Sequence, residues 1–217
     1  MKNYFTFFLC LIISSLSCQK HNQVKTDRNT DHDKKAVEVP VKNGITKAYF
    51  ASGCFWCVEA IYESIPGVKD AISGYSGGHT KNPTYSSVVS GKTGHSETVE
   101  VLYNPMEVSY QTLLDIYFSS QNIEQINGQG PDVGSQYRSI IFYQNERQRK
   151  LIIDKIKKIE QSKKIKVAAE VIPFQKFWRA EDYHQNFEKR NPNNGYIRNV
   201  SIPRIKRFKL NFKIDEN

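Results

Sequence analysis

The stretch Ala48-Tyr49-Phe50-Ala51-Ser52-Gly53-Cys54-Phe55-Trp56-Cys57-Val58-Glu59 holds two of the chain's four cysteines, three positions apart, with two aromatic residues between them. Ala48 to Ser52 reads as a strand. A helical pattern follows, with apolar Val58, Ile61, Tyr62 and Ile65 at i, i+3, i+4 and i+7. Pro66-Gly67 stops it. Cys54 therefore falls at a strand-to-helix turn, where free backbone N–H groups and the helix dipole favour a thiolate. Cys57 follows about one helical turn later, close enough for a disulfide. From spacing alone the pair is a set of core thiols, half a zinc site or a redox pair. Zinc normally takes four ligands. No second CxxC exists, and His79, His95 and His184 are scattered. Redox or nucleophilic chemistry is the favoured class, with no metal.

Outward from this stretch, the N-terminus carries the other two cysteines. Met1-Lys2-Asn3 is a short basic start, and Tyr4 to Leu16 is uncharged and rich in Phe, Leu and Ile. The apolar run is too short to span a bilayer and reads as a secretory signal over residues 1–17. Leu16-Ser17-Cys18 resembles a bacterial lipobox, which implies cleavage before Cys18 and lipid on its thiol; Cys10 would leave with the signal. Residues 18–43 are polar and charged, too poor in large apolar groups to fold, and read as a tether. A single folded domain is expected over residues 44–202. Residues 203–217 read as a basic tail. The expected location is the bacterial cell envelope, with a lipid anchor in the membrane and the domain outside the cytoplasm.

The formal net charge is +9. It is not gathered into a nucleic-acid-binding motif, so no nucleic-acid partner is expected. One part lies on a Lys-rich helix around Lys155 to Lys166, which reads as a solvated face. Another lies in the tail, at Arg204, Lys206, Arg207, Lys209 and Lys213, which could rest on anionic headgroups.

The elements alternate in a definite order. Strands are expected at Lys47–Ser52, Val68–Tyr75, Glu97–Tyr103, Arg138–Tyr143 and Val167–Pro173. Helices are expected after Cys57, after an N-cap at Ser109 with Leu113, Leu114, Tyr117 and Phe118 inward, and from Glu146 to about Ser162. Loops fall at Ser76–Pro83 and Asn127–Gln136. The order β-α-β-β-α-β, with additions, predicts an α+β, two-layer sandwich with a split βαβ, ferredoxin-like core and irregular loops. On the third strand, Glu97 shares a face with Val99 and Val101. A carboxyl on an apolar face tends to stay neutral, because burial raises its pKa. A neutral Glu near a thiol is a potential proton donor. At a strand end it could equally be solvated.

Several separated motifs then agree on one family. They are Gly53-Cys54-Phe55-Trp56, Gly74-Tyr75-Ser76-Gly77-Gly78, Asn82-Pro83-Thr84-Tyr85, Gly94-His95-Ser96-Glu97, Gly134-Ser135-Gln136-Tyr137-Arg138-Ser139 and Ala180-Glu181-Asp182-Tyr183-His184-Gln185. In content and order they resemble the A-type peptide methionine sulfoxide reductases, over roughly Lys47 to Tyr196. The resemblance implies reduction of the S epimer of methionine sulfoxide, in proteins or peptides, to methionine. It makes Cys54 the nucleophile and Glu97 the acid that protonates the sulfoxide oxygen. Tyr85 and Tyr137 become the phenols that bond that oxygen, and Asp132 an acid that organises the site through water. Phe55 and Trp56 become the wall that holds the substrate methyl. His184 matches no chemical role and reads as structural.

One departure matters. Many members of this family carry recycling cysteines near the C-terminus, and the chain after Asn191 has none. In relatives with the Gly-Cys-Phe-Trp-Cys form the second cysteine resolves the sulfenic acid, so the resemblance assigns that role to Cys57. It implies no organic cofactor, a thioredoxin-like protein as reductant, and a monomer. A thioredoxin-like disulfide oxidoreductase would also use CxxC, but usually with small residues or Pro between the cysteines. A non-catalytic peptide-binding lipoprotein would not need Glu97, Tyr85 and Tyr137 together.

Overall fold

The structure, a computed structural model, describes residues 34–212. The signal and the lipidation site at Cys18 lie outside the described residues. The elements run β1 (Thr46–Ala51), α1 (Phe55–Glu63), β2 (Val68–Ser76), α2 (Tyr85–Val89), β3 (Ser96–Tyr103) and α3 (Tyr110–Ser119). They continue as β4 (Gly128–Gln129), β5 (Asp132–Val133), β6 (Ile140–Tyr143), α4 (Glu146–Lys163), β7 (Glu170–Pro173), β8 (Trp178–Arg179), α5 (Phe187–Arg190) and α6 (Ile202–Asn211). A π-helical turn, Ile197–Ser201, leads into α6.

The main sheet has the order β7-β6-β1-β3-β2-β8. β3 lies between β1 and β2 and is antiparallel to both, so β1 and β2 are parallel with a strand between them. That is the split βαβ unit, and β6 beside β1 completes the four-strand pattern. The architecture is α+β, a sheet with helices on one face.

The period-2 pattern explains the layering. Ala48, Phe50, Val99, Val101 and Ile141 form one apolar cluster with Val58, Ile61, Leu113, Leu114, Ile116, Ile152 and Phe208 from the helices. Phe50 stacks on Tyr62 at 5.2 Å between ring centres. Two hydroxyls bond across layers: Tyr62 donates to the Leu113 carbonyl at 3.2 Å and Tyr117 to that of Ala51 at 3.1 Å. Ser109 caps α3, accepting from the Thr112 N–H at 3.0 Å, as its sequence predicts. The opposite sheet face carries a smaller cluster of Tyr49, Ala51, Ile140, Phe142, Ile172 and Phe174.

Two stretches differ from their sequence reading. Order extends N-terminal to Gly44. The Lys35 carbonyl accepts from Gln175, Val37 N–H donates to the Phe174 carbonyl at 2.8 Å, and Val39 N–H donates to Gln144 Oε1 at 2.9 Å. Val39 packs on the second cluster. The stretch lacks large apolar side chains, yet its backbone finds partners on the sheet's edge and loops. Residues 203–211, read as part of a basic tail, belong to α6. Arg204 and Phe208 are buried on one side of it, and Lys206, Arg207 and Lys209 stay exposed. The i, i+4 spacing of Arg204, Phe208 and Phe212 makes this face, and its arginine hid it from a reading based on hydrophobicity. Among the described residues no helix is long and apolar enough to cross a membrane.

Candidate active site

The turn between β1 and α1 sets the site's position. Gly53 has φ +82°, and a Cβ there would run into the side chain of Gln129. Only glycine meets both demands. The chain then turns sharply, and Cys54 becomes the N-cap residue of α1 without capping it through its side chain. The free amide at this terminus goes elsewhere: Phe55 N–H donates to Glu97 Oε2 at 2.9 Å. The helix terminus therefore serves the carboxyl of β3.

Cys54 and Cys57 are both free thiols, 6% and 0% exposed. Burial pushes the Cys54 thiol well above its usual range, assisted by its hydrogen bond with Cys57 and by the nearby Glu97. The same bond from Cys54 holds Cys57 down to about 6 against its own burial, with Arg204, Ser201 and Tyr196 also favouring the anion. The thiolate expected at Cys54 is not favoured, because desolvation outweighs the turn's dipole and the Phe55 amide is already engaged.

Glu97 ends on the apolar face, as its alternation with Val99 and Val101 suggested, and is 2% exposed. Burial raises its pKa to about 8, against the opposing Phe55 N–H, so the carboxyl is mostly protonated at neutral pH. Tyr85 opens α2, where Thr84 provides the cap. Its phenol is raised to about 12 by burial, then by the nearby Glu97 and Cys54. Tyr137 ends a 3-10 turn, Ser135–Tyr137. Burial raises its phenol too, and Glu97, Tyr85, Cys54 and Asp132 add to that. Both phenols keep their protons at neutral pH and stand as uncharged donors around Cys54 and Glu97.

Asp132, on the β4–β5 hairpin, accepts from the Tyr196 hydroxyl at 2.5 Å. That hydroxyl lies 3.9 Å from Cys57 Sγ. Tyr196 also stands edge-on to Trp56, 5.9 Å between ring centres. It was not foreseen: it follows an Asn/Pro-rich loop with no periodicity, and it is one of 12 tyrosines. The same holds for Phe187, which stacks on Trp56 at 3.8 Å. Phe55 and Trp56 form an aromatic wall around His184, which accepts from the Trp56 indole N–H through Nδ1 at 3.1 Å. Burial lowers the His184 pKa, so the ring is neutral, and its contacts suit the structural part given to it.

Glu181 fixes the near wall. One of its oxygens accepts from Tyr85 N–H at 2.8 Å and the other from the Tyr75 hydroxyl at 2.9 Å. Burial pushes Glu181 up, but these donors outweigh it and keep it ionised. Among the described residues, no group of three or more His, Cys, Asp and Glu is arranged to hold a metal ion. The arrangement can do one kind of chemistry well. A thiol, a neutral acid and two phenols lie near one another beside aromatic rings, a set suited to an oxygen that must be protonated as it leaves.

Residues 46–216 match the family model described as peptide methionine sulfoxide reductase. The chain is 47% identical over 167 residues to a peptide methionine sulfoxide reductase MsrA of Pasteurella multocida, covering 77% of this chain and 96% of the relative. It is 45% identical over 165 residues to the protein of that name from Picrophilus torridus, covering 76% and 93%. Among solved structures it resembles Mxr1 from Saccharomyces cerevisiae in reduced form, with TM-score 0.67, 29% identity and coverage of 74% and 92%. It also resembles methionine sulfoxide reductase A of Corynebacterium diphtheriae, with TM-score 0.64, 28% identity and coverage of 76% and 85%.

Proposed function

Because the chain belongs to the peptide methionine sulfoxide reductase family and reduces methionine sulfoxide to methionine, we propose that the cluster around Cys54 is its catalytic centre and acts on the S epimer. The observation that carries this reading is the neutral carboxyl of Glu97, held at the Phe55 amide beside the Cys54 thiol. Cys54 Sγ attacks the sulfoxide sulfur. Glu97 gives its proton to the sulfoxide oxygen, and Tyr85 and Tyr137 donate to that oxygen as charge develops on it. The Cys54 thiol proton follows to that oxygen, the substrate's sulfur–oxygen bond breaks, and the oxygen leaves as water. A water then attacks Cys54 Sγ and returns a proton to Glu97. The bond between Cys54 Sγ and the substrate sulfur breaks, and methionine and a sulfenic acid on Cys54 remain. Phe55 and Trp56 hold the substrate methyl against aromatic faces. Asp132 keeps Tyr196 in place between the hairpin and Cys57.

Cys57 then attacks the sulfenic sulfur. A Cys54–Cys57 disulfide forms and water leaves. A thioredoxin-like dithiol protein reduces the disulfide through a mixed disulfide, becoming oxidised in turn. Cys57 is favoured for this step because Cys54 and Cys57 are the free cysteines of the described residues and lie one helical turn apart, the Cys57 N–H donating to the Cys54 carbonyl at 3.2 Å.

The N-terminal reading adds a location. Leu16-Ser17-Cys18 supports lipid attachment at Cys18, so the enzyme works as a monomer tethered to a membrane of the bacterial envelope, domain outward. Oxidised envelope proteins would be its substrates.

The deciding experiment is single-turnover reduction of the separate S and R epimers of a methionine sulfoxide peptide. Wild type should convert the S epimer alone, one methionine per protein without added reductant, and Cys54→Ser should convert neither. Turnover by Cys54→Ser, or equal use of both epimers, would remove the proposed centre. For the anchor, Cys18→Ala should move the protein from the membrane to the soluble fraction with the domain's rate unchanged.

A further inference from the structure

His184 is 1% exposed and packs against residues assigned to both sides of the substrate pocket. Toward the methyl side, its ring centre lies 4.9 Å from that of Phe55 and 5.7 Å from that of Trp56, and its Nδ1 accepts from the Trp56 indole N–H at 3.1 Å. Toward the oxygen side, its ring centre lies 4.5 Å from that of Tyr85. An indole N–H can only donate, so Nδ1 carries no proton and the hydrogen of the neutral ring is on Nε2. That second nitrogen is buried with no hydrogen-bond partner among the described residues, and the Glu181 carboxylate stands 4.0 Å away. A buried donor left unspent costs stability, and an apolar side chain of similar shape avoids the cost. Packing alone therefore does not account for an imidazole at this position, whereas an acceptor for Trp56 does.

The backbone that carries the ring is pinned on three sides. Glu181 accepts from Tyr85 N–H at 2.8 Å. Gln185 pairs with β2, accepting from the Ser73 N–H at 3.1 Å and donating to the Ser73 carbonyl at 3.0 Å. Asn186 N–H donates to Glu59 on α1. The imidazole is thus a fixed post, and Trp56 needs one. Phe187 stacks on the indole at 3.8 Å with 10° between the rings, which sets the plane of the indole. A stacked ring still slides and turns within its plane. The hydrogen bond to Nδ1 stops that motion.

We propose that His184 is a positioning residue that sets the separation between the Trp56 wall and the Tyr85 phenol, and so decides which alkyl group and which epimer the site accepts. This rests on the reading of Phe55 and Trp56 as the methyl wall and of Tyr85 as a donor to the sulfoxide oxygen. The two epimers of a sulfoxide differ by an exchange of places between oxygen and methyl around the sulfur. A pocket tells them apart only when its methyl wall and its oxygen donors keep a fixed separation. The His184 ring packs against both and bonds one of them.

The test uses the full chain with three substrates: the S and R epimers of a methionine sulfoxide peptide, and the S epimer of its ethyl homologue. Wild type should prefer S to R and methyl to ethyl in kcat/KM. His184→Leu fills the space without an acceptor and should cut both preferences by about tenfold or more, the size expected when one buried bond that sets a geometry is lost. His184→Asn places its amide oxygen where Nδ1 stood and should keep both preferences within about threefold of wild type. A direct readout accompanies the kinetics. The chain has two tryptophans, so nitrogen-labelled protein shows two indole N–H resonances, which Trp178→Phe assigns. The Trp56 N–H should exchange with solvent slowly in wild type and His184→Asn, and faster in His184→Leu. Unchanged preferences in His184→Leu would overturn the role of His184 alone. So would preferences in His184→Asn that fall as far as in His184→Leu, or a Trp56 N–H that exchanges equally slowly in all three proteins. A wild type that distinguishes neither methyl from ethyl nor S from R would overturn the reading of the pocket, and the role of His184 with it. Should His184→Leu fail to fold by circular dichroism, His184→Phe, an aromatic ring without an acceptor, replaces it in each comparison.

Discussion

At the scale of residues, the site depends on keeping one acid protonated and two phenols neutral beside a thiol. Glu97 shows how this is done. Its side chain goes into the apolar layer with Val99 and Val101, where burial raises its pKa to about 8, and the Phe55 amide fixes its orientation. Glu97→Gln keeps the shape and the Phe55 contact but cannot give a proton. Its rate of methionine formation should fall by about 10² or more, the range usual for a lost general acid, with little change in affinity for the thioether product. Stopped assays of single-turnover rate and equilibrium binding check the two halves, and an unchanged rate would pass the proton's source to a tyrosine. Cys57→Ser should act at the other step. It should still release one methionine per protein, lose most thioredoxin-driven cycling, recover in part with dithiothreitol and over-oxidise more readily. Undiminished thioredoxin-driven turnover would leave Cys57 as a packing thiol. Glu97 was legible because alternation along one strand is local information. Tyr196 and Glu181 were not assigned parts in the site, because their work depends on pairings with Asp132 and Tyr85, 64 and 96 positions away.

At the scale of elements, the β-α-β-β-α-β order was readable because each long element keeps its own period, 2 in the strands and 3.6 in the helices. The pieces that escaped are short or charged. α2 spans Tyr85–Val89 and β8 only Trp178–Arg179, too brief for periodicity to register. α6 carries its arginine on the buried side. The segment before β1 is a further case. It forms no strand, yet Lys35, Val37 and Val39 each bond the Phe174–Gln175 loop or Gln144. Glu38 accepts from Asn145 at 2.7 Å, at the cap of α4. These contacts cover the smaller apolar cluster, so the segment acts as a strap on the sheet's second face. A chain beginning at residue 44 should therefore melt lower than one beginning at residue 34. Each lost hydrogen bond removes about 1 kcal/mol, and each kcal/mol lowers the melting temperature by about 2 to 4 °C at this size. Differential scanning calorimetry on the two chains decides it, and equal melting temperatures would mean the strap adds nothing.

At the scale of the whole molecule, the catalytic acid is a burden on folding, and the burden has a pH signature. In the unfolded chain Glu97 titrates at its usual 4.5, and in the folded one at about 8. Between these values the native state holds more of the proton than the unfolded state does, so this group lowers stability as pH rises through that window and adds no penalty below it. Glu59 acts alike: burial raises it to about 7, although Ser73 and the Asn186 N–H donate to it. His95 and His184, lowered by burial, work the other way, adding stability as pH rises toward their unfolded value of 6.5. The pH dependence of the wild type is thus a partial cancellation, and a difference between two proteins isolates the Glu97 part. Glu97→Gln cannot ionise. Relative to wild type it should gain stability steadily from about pH 5 to pH 8, by up to about 1.4 kcal/mol for each pH unit, then level off. Urea unfolding of both proteins at several pH values measures this, with the dithiols kept reduced. A protein that loses its chemistry while becoming sturdier at pH 8 would show that the same burial that keeps Glu97 protonated also strains the fold. A difference constant across that range would mean that Glu97 is solvated and ionised in the folded state, and that the proton for the sulfoxide oxygen comes from another group.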